Sequence, residues 1–330
     1  MSSDTKCASP NDIDRFSNAN FMFSQIVHLI AISATFFLAY FAAKLILQRT
    51  IFETSTKILL LQSLAYSVLF QICHGIEVFA LFYKGFFKID QPCELLQSEA
   101  HCYPHFSFYI CSTSGIICGQ TGLMIERACA TYFKNYIKET RLRVGWFIFI
   151  MVFLLSAASG PLIVLDDPLQ GYSFACFVIP KQSVPRATRF YIICTILTLL
   201  NLIASVFIMQ YNKRYEYVTR FKVGARFQKR QAIESTGTIC FLALSLFVFL
   251  FIYSLGINIL VNIRSKIPPS FFSFFITWCF TMPFVAAMIP LLIICRVTSA
   301  RANRVQNISG ITQERQTQED HMQQMRAMWS

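Results

Sequence analysis

Read for apolar continuity, the chain divides into seven long stretches free of Asp, Glu, Lys and Arg: Phe16–Ala43, Ile58–Ile76, Ala100–Ile125, Val144–Leu165, Phe190–Asn212, Ser235–Ile263 and Ile267–Cys295. About 20 residues of helix at 1.5 Å each cross a hydrocarbon core roughly 30 Å thick. Each stretch reaches, the second with a residue or two from Glu77–Tyr83. Backbone in lipid must satisfy its own hydrogen bonds, so stretches this apolar are helices. A β-barrel would alternate polarity in short pieces, and Phe241–Ile252 does not. Pro168–Pro180, bounded by prolines, reads as a loop. The pattern predicts an all-α integral membrane protein with helices at about 24–47, 58–82, 105–133, 143–165, 188–211, 235–262 and 270–295. A tail, 1–23, precedes the 24–295 bundle, and a polar tail, 296–330, follows it, with its basic start Arg296–Arg304 a short helix along the membrane and its end disordered.

Composition agrees with that picture: 55% of the 330 residues are hydrophobic and 14% charged, against about 25% charged in soluble domains. The formal net charge of +12 is informative once divided between the two sides of the bundle. The side holding the N-terminus and the segments after helices 2, 4 and 6 carries nine of the 29 Lys and Arg and nine of the 17 acids. The whole excess therefore lies on the opposite side, including seven basic residues from Lys213 to Arg230. By the positive-inside rule the opposite side is cytoplasmic and the N-terminus extracellular. Basic loops tethered to a bilayer meet anionic lipid; nucleic acid is not expected as a partner. The polar, mildly acidic start has no basic n-region, so the first span reads as a retained signal anchor.

Four of the 12 cysteines, Cys7, Cys93, Cys102 and Cys176, fall on the expected outer side, where three pairings are open. Cys102–Cys176 would pin the loop between helices 4 and 5 over the bundle mouth, and Cys7–Cys93 would then tie down the tail. A metal site from Cys93, His101, Cys102 and His105 fits no zinc spacing. The other cysteines read as small packing residues, with Cys295 beside Arg296 a candidate for palmitoylation. HExxH, Walker A, G-x-G-x-x-G and G-x-S-x-G are all missing from the sequence, so neither an enzyme nor a bound cofactor is expected.

Helix 3 ends in Glu126-Arg127, which resembles the Glu/Asp-Arg-Tyr element of rhodopsin-like receptors, and Cys102 precedes Arg127 by 25 residues, as in that family. Other rhodopsin-like elements are missing: Val68 stands where the sodium-binding aspartate would fall, helix 6 lacks Cys-Trp-x-Pro, and Pro290 lacks its Asn and Tyr neighbours. A narrower resemblance is to the nematode serpentine receptor class alpha (Sra) chemoreceptors. It is carried by Lys6–Ser9, Ser55–Leu60, Gln91–Cys93, Gly119–Thr131, Asp166–Leu169 and Arg220–Arg230, in family order. It implies a chemosensory G-protein-coupled receptor of ciliated neurons, in the plasma membrane, with a small chemical ligand and a heterotrimeric G protein as partners. Oligomerisation is left open. The alternative is a seven-helix cation channel of the insect odorant receptor kind, with inverted topology.

Polar groups inside a bilayer cost several kcal/mol unless paired or wetted, and so point to function. His28, His74, Glu77, His105, Tyr109, Tyr253 and Asn258 fall in the outer half and form the candidate ligand pocket; a structural His74–Glu77 pair satisfied by another helix is the competing reading. Glu126, Arg127, Arg220, Lys222, Arg226, Lys229 and Arg230 form the candidate G-protein surface. Gly115, Gly119 and Gly122 give helix 3 a smooth face for close packing in the bundle centre.

Overall fold

The computed structural model describes residues 7–8, 13, 19–48, 52–133, 138–218, 223–263, 266–267 and 269–329. Its helices are α1 (Ala19–Gln48), α2 (Thr54–Phe87), α3 (Glu99–Tyr132), α4 (Lys138–Val164), α5 (Val184–Val218), α6 (Val223–Ile263), α7 (Pro269–Cys279) and α8 (Met282–Trp329). Seven segments among them are long and apolar enough to span a membrane, the seventh shared by α7 and α8 over Phe274–Asn303. Apolar side chains such as Phe37, Phe79, Phe147, Phe207 and Phe271 remain exposed on the bundle, as a lipid-facing surface requires. Two short strands, β1 (Gln97–Ser98) and β2 (Tyr172–Ser173), pair antiparallel across the end of the bundle that carries the disulfides. We call this the disulfide end and the opposite one, where Arg127 lies, the arginine end.

α3 runs through the middle, packed on α2, α4, α5 and α6. Its glycines make that possible. A Cβ at Gly115 would stand 2.3 Å from the Tyr66 ring of α2, one at Gly119 2.7 Å from Ser63 Oγ, and one at Gly122 2.7 Å from Ile148 of α4. The small face predicted from spacing thus serves two neighbours at once. Side-chain amides add interhelical bonds: Gln120 Nε2 donates to Ile239 O of α6 at 2.9 Å, and Asn201 Nδ2 of α5 donates to Thr121 Oγ1 at 2.8 Å.

The seventh span is not the single helix expected over 270–295. It breaks at Phe280–Thr281, because Pro283 has no N–H to continue the ladder and Thr281 starts a new helix, its carbonyl accepting from Phe284 N and Val285 N. Groups freed at the break find partners on other helices. Thr281 Oγ1 donates to Phe249 O of α6 at 2.7 Å, and Gln71 Nε2 of α2 donates to Pro283 O at 2.8 Å and to Thr35 Oγ1 of α1 at 2.9 Å. Irregular backbone at membrane depth is tolerated only where protein or a cavity receives it.

The tail also departs from expectation. Arg296–Arg304 is not a separate helix turned along the membrane: α8 continues without interruption to Trp329. The segment is rich in Gln, Glu, Arg, Met and Ala, all good helix formers, and has no proline after Pro290. Helices α5 and α6 likewise continue beyond their spans, α5 to Val218 and α6 from Val223.

Two glycine substitutions should separate packing from helix propensity. Gly115→Ala must displace the Tyr66 ring and should lower stability by about 1–3 kcal/mol. Gly75→Ala places its Cβ 3.8 Å from Ile32, an ordinary contact, and should cost nothing. Thermal unfolding of the two purified variants checks the difference; equal melting temperatures would contradict the close approach at Gly115.

Candidate ligand cavity and arginine lock

A cavity of about 310 Å³ opens in the half of the bundle nearer the disulfides. That is at the small end of the range of roughly 300–1,000 Å³ usual for ligand sites. α1 contributes Phe21, Gln25 and His28; α2 and α3 contribute His74 and Tyr109. Tyr191, Tyr253, Ile257, Ile276 and Phe280 come from α5, α6 and α7 with the break that follows it, while Phe174 and Phe177 descend from the loop after β2. The wall is largely aromatic. Phe177 stacks on Phe280 with centroids 5.4 Å apart and planes inclined 24°, and Tyr191 meets Tyr253 edge-on at 4.9 Å. None of the lining residues is Asp, Glu, Lys or Arg.

Of the seven residues placed in the pocket from sequence, His28, His74, Tyr109 and Tyr253 line this cavity. His28 Nδ1 and His74 Nε2 share a hydrogen bond of 3.3 Å. One ring must donate and the other accept, so two imidazolium ions could not make it. His74 is thus paired with His28 of α1. Glu77, His105 and Asn258 are not part of the lining. The Glu77 carboxylate accepts from Cys176 N at 2.9 Å and lies 3.4 Å from His105 Nε2, so both residues support the roof. Asn258 instead accepts from Asn262 Nδ2 one turn along α6.

That roof is the loop between α4 and α5. Cys102–Cys176 fastens it to the start of α3, and Cys7–Cys93 fastens the N-terminal segment to the loop after α2. Ala8 N also donates to Pro92 O at 2.8 Å. Three carboxylates hold roof backbone or side chains: Glu77, Glu99, which accepts from Gly171 N at 3.0 Å and Lys181 N at 3.3 Å, and Asp167, which accepts from Leu169 N and Ser183 Oγ. Lys84 Nζ donates to Phe174 O at 3.0 Å from below. The Asp166–Leu169 block thereby acquires a reason. Asp166 and Leu169 adopt positive φ of 61° and 51°, and Asp167 closes an Asx-type turn between them.

At the arginine end Glu126 and Arg127 are both buried, and adjacent in sequence they form a two-point ion pair. Arg127 Nε reaches Glu126 Oε2 at 2.6 Å and Nη2 reaches Oε1 at 2.7 Å. The start of α2 completes the site. Ser55 Oγ donates to Glu126 Oε1 at 2.6 Å, Thr56 Oγ1 to Oε2 at 3.1 Å, and Thr56 Oγ1 also accepts from Arg127. Glu53, 3.6 Å from Arg127, pairs in turn with Arg141 of α4. Of the basic residues assigned to a G-protein surface, Arg230 is exposed on α6. Arg220 and Lys222, and the side chains of Arg226 and Lys229, lie outside the described residues.

Sequence reasoning missed Gln25, Tyr191 and the roof phenylalanines as cavity residues. Gln25 was open to discovery, being a buried amide three residues before His28; among 34 phenylalanines nothing marks Phe174, Phe177 or Phe280. Ser55 and Thr56 belong to the Ser55–Leu60 block, and their bonds to Glu126 supply the physical content of that block.

The family description "Serpentine type 7TM GPCR chemoreceptor Sra" matches residues 1–329. Serpentine receptor class alpha-6 of Caenorhabditis elegans is 51% identical over 328 residues, which cover 99% of this chain and all of the relative. Serpentine receptor class alpha-8 of the same organism is 46% identical over 98% of each chain, and class alpha-2 43% identical over 99% of each. The seven-helix cation-channel alternative finds no support in these matches, and the family is one of receptors, not enzymes. The chain is a multi-pass membrane protein and belongs to the Sra family of seven-transmembrane G-protein-coupled chemoreceptors.

Proposed function

We propose that this receptor binds a small chemical ligand in the cavity under the disulfide-bonded roof and signals through a heterotrimeric G protein engaged at the arginine end. The observation that carries the reading is the pairing of a roofed, uncharged cavity at one end of α3 with a buried, ion-paired arginine at the other. Membership of a chemoreceptor family requires both a ligand site and a transducing surface, and these two places fit them.

In this reading the disulfide end is extracellular, at the plasma membrane of a sensory cilium, consistent with the oxidised cysteines gathered there and the excess of Lys and Arg on the opposite side. Arg127 is only 3% exposed, so a partner reaches it only after its bonds to Glu126 and Thr56 are loosened. Ligand binding favours the loosened state by its difference in affinity for the two conformations, each 1.4 kcal/mol shifting the population about tenfold. Arg230, exposed on α6, then supplies positive charge at this end of the bundle.

Orientation is testable on intact cells: an epitope added before Cys7 should be stained without permeabilisation, and Asn307, in the chain's Asn-Ile-Ser sequon, should stay unglycosylated. Glycan at Asn307 would reverse the topology. Glu126→Gln should raise ligand-independent signalling, since the neutral amide holds Arg127 less tightly, whereas Arg127→Ala should abolish signalling at normal surface expression. Unchanged basal activity in the first and full response in the second would together sink the lock mechanism. Glu77→Gln weakens the bond to Cys176 N and should reduce the potency of every active ligand by a similar factor, about three- to tenfold for one charged hydrogen bond. A loss confined to one ligand class would place Glu77 in direct contact with ligand instead.

A further inference from the structure

The cavity has a ring on nearly every element that reaches it. Seven of its 16 lining residues are Phe or Tyr, against 15% aromatic residues in the whole chain. They are not gathered on one side: Phe21 stands on α1, Tyr109 on α3, Tyr191 on α5, Tyr253 on α6, Phe280 at the break in the seventh span and Phe177 in the roof. From this enclosure we infer that the cavity takes an uncharged ligand bearing an aromatic ring, in preference to a saturated body of the same size. The inference rests on reading the cavity as the ligand site.

The rings hold one another in place before any ligand arrives. Phe280 is the hub: its centroid lies 5.4 Å from that of Phe177 with planes 24° apart, 6.0 Å from Tyr253 at 69° and 5.9 Å from His28 at 62°. Tyr253 in turn meets Tyr191 at 4.9 Å and 72°, and Phe177 meets His74 at 6.0 Å and 65°. Only the Phe177–Phe280 pair among these is stacked; the others are edge-to-face. An aromatic face is negative and its edge positive, so a wall of steeply inclined rings presents both. A guest ring sets its edge on one and its face on another and continues the pattern. A saturated body gains only burial and dispersion from the same wall.

Charge and size narrow the class further. Rings also attract cations, but no lining residue is an acid to balance one, and Glu77, one turn from His74 on α2, already receives Cys176 N and faces His105. An anion would need a cation, and Lys84 is committed to Phe174 O. Either ion would be desolvated here without compensation. An apolar cavity of about 150 Å³ is enough to hold benzene. The volume of about 310 Å³ therefore admits one ring with a substituent, or a fused pair of rings.

The test uses the full-length receptor in lipid nanodiscs and three probes: anisole, methoxycyclohexane and phenyltrimethylammonium. The first two share one skeleton and differ only in saturation of the ring. Methoxycyclohexane has the larger apolar area, so burial alone ranks it first, whereas ring–ring contact ranks anisole first. Apparent affinities come from saturable thermal stabilisation. Anisole should bind roughly two- to tenfold more tightly than methoxycyclohexane, and the ammonium ion should not stabilise. Phe177→Leu and, separately, Phe280→Leu keep the wall apolar; each should remove at least half of anisole's advantage and leave methoxycyclohexane binding as before. Ile276→Trp and, separately, Ile257→Trp fill the cavity and should abolish binding of both uncharged probes. Methoxycyclohexane binding as tightly as anisole or more so, a preference untouched by both leucine variants, tighter binding of the ammonium ion, or no saturable binding by any probe overturns the inference. The cavity reading survives such a failure where the tryptophan variants block whichever probe does bind. Saturable binding that persists in both tryptophan variants overturns the cavity reading itself.

Discussion

Hydrocarbon offers no hydrogen bonds, so backbone groups within the membrane must be met by the chain itself, and polar side chains there gain by meeting another helix. That constraint explains where the helices touch. Gln71 joins α1 and α2 to the start of α8, Gln120 joins α3 to α6, Asn201 joins α5 to α3, and Thr281 joins the break in the seventh span to α6. Lipid supplies no hydrophobic drive for helices to associate, so close approach at Gly115 and Gly119 together with these few directed bonds decides which faces meet.

The two ends of the bundle are held in physically different ways. At the disulfide end two covalent bridges, a strand pair and three carboxylates fix the loops. The two bridges are covalent, so the roof stays fastened to α3 and the N-terminal segment to the loop after α2. At the arginine end the contacts are an ion pair and hydroxyl bonds among Glu126, Arg127, Ser55 and Thr56. A buried ion pair sits close to energetic balance, because desolvation offsets most of its attraction. Because Glu126 and Arg127 are neighbours on α3, the attachment of α3 to α2 is made by the bonds of Ser55 and Thr56 to this pair, a few hydroxyl bonds rather than a covalent tie.

How legible this was in the sequence depended on the physical signal. The seven spans were readable because crossing a bilayer demands length and apolarity, and both are local properties. The break at Phe280–Thr281 leaves no trace in the charge pattern of Ile267–Cys295; its signal is Thr281 and Pro283, a helix-start signature within that stretch. The continuous α8 is polar after Arg296, and polarity alone does not separate disorder from a solvated helix; its helix-favouring composition does. For the cavity, the cost of polar groups in lipid pointed to His28, His74, Tyr109 and Tyr253, and equally to Glu77, His105 and Asn258. Only three-dimensional placement separates a histidine that lines a cavity from one that supports its roof, since both satisfy the rule from the same depth. Aromatic lining carries no local signal at all in a chain this rich in phenylalanine.

The broken seventh span brings these threads to one place. Phe280 lines the cavity, and the next residue, Thr281, holds α6 through Phe249 O. His74 lines the cavity too, and Gln71, three residues earlier on the same helix, holds α1 and the start of α8. A molecule that presses on Phe280 or His74 must therefore be accommodated by the bonds that keep α6, α7 and α8 in register. A continuous helix would spread such a push along its whole length. A helix interrupted one residue from the cavity wall can let its two halves move separately, and the half beyond the break runs on past the arginine end of the bundle.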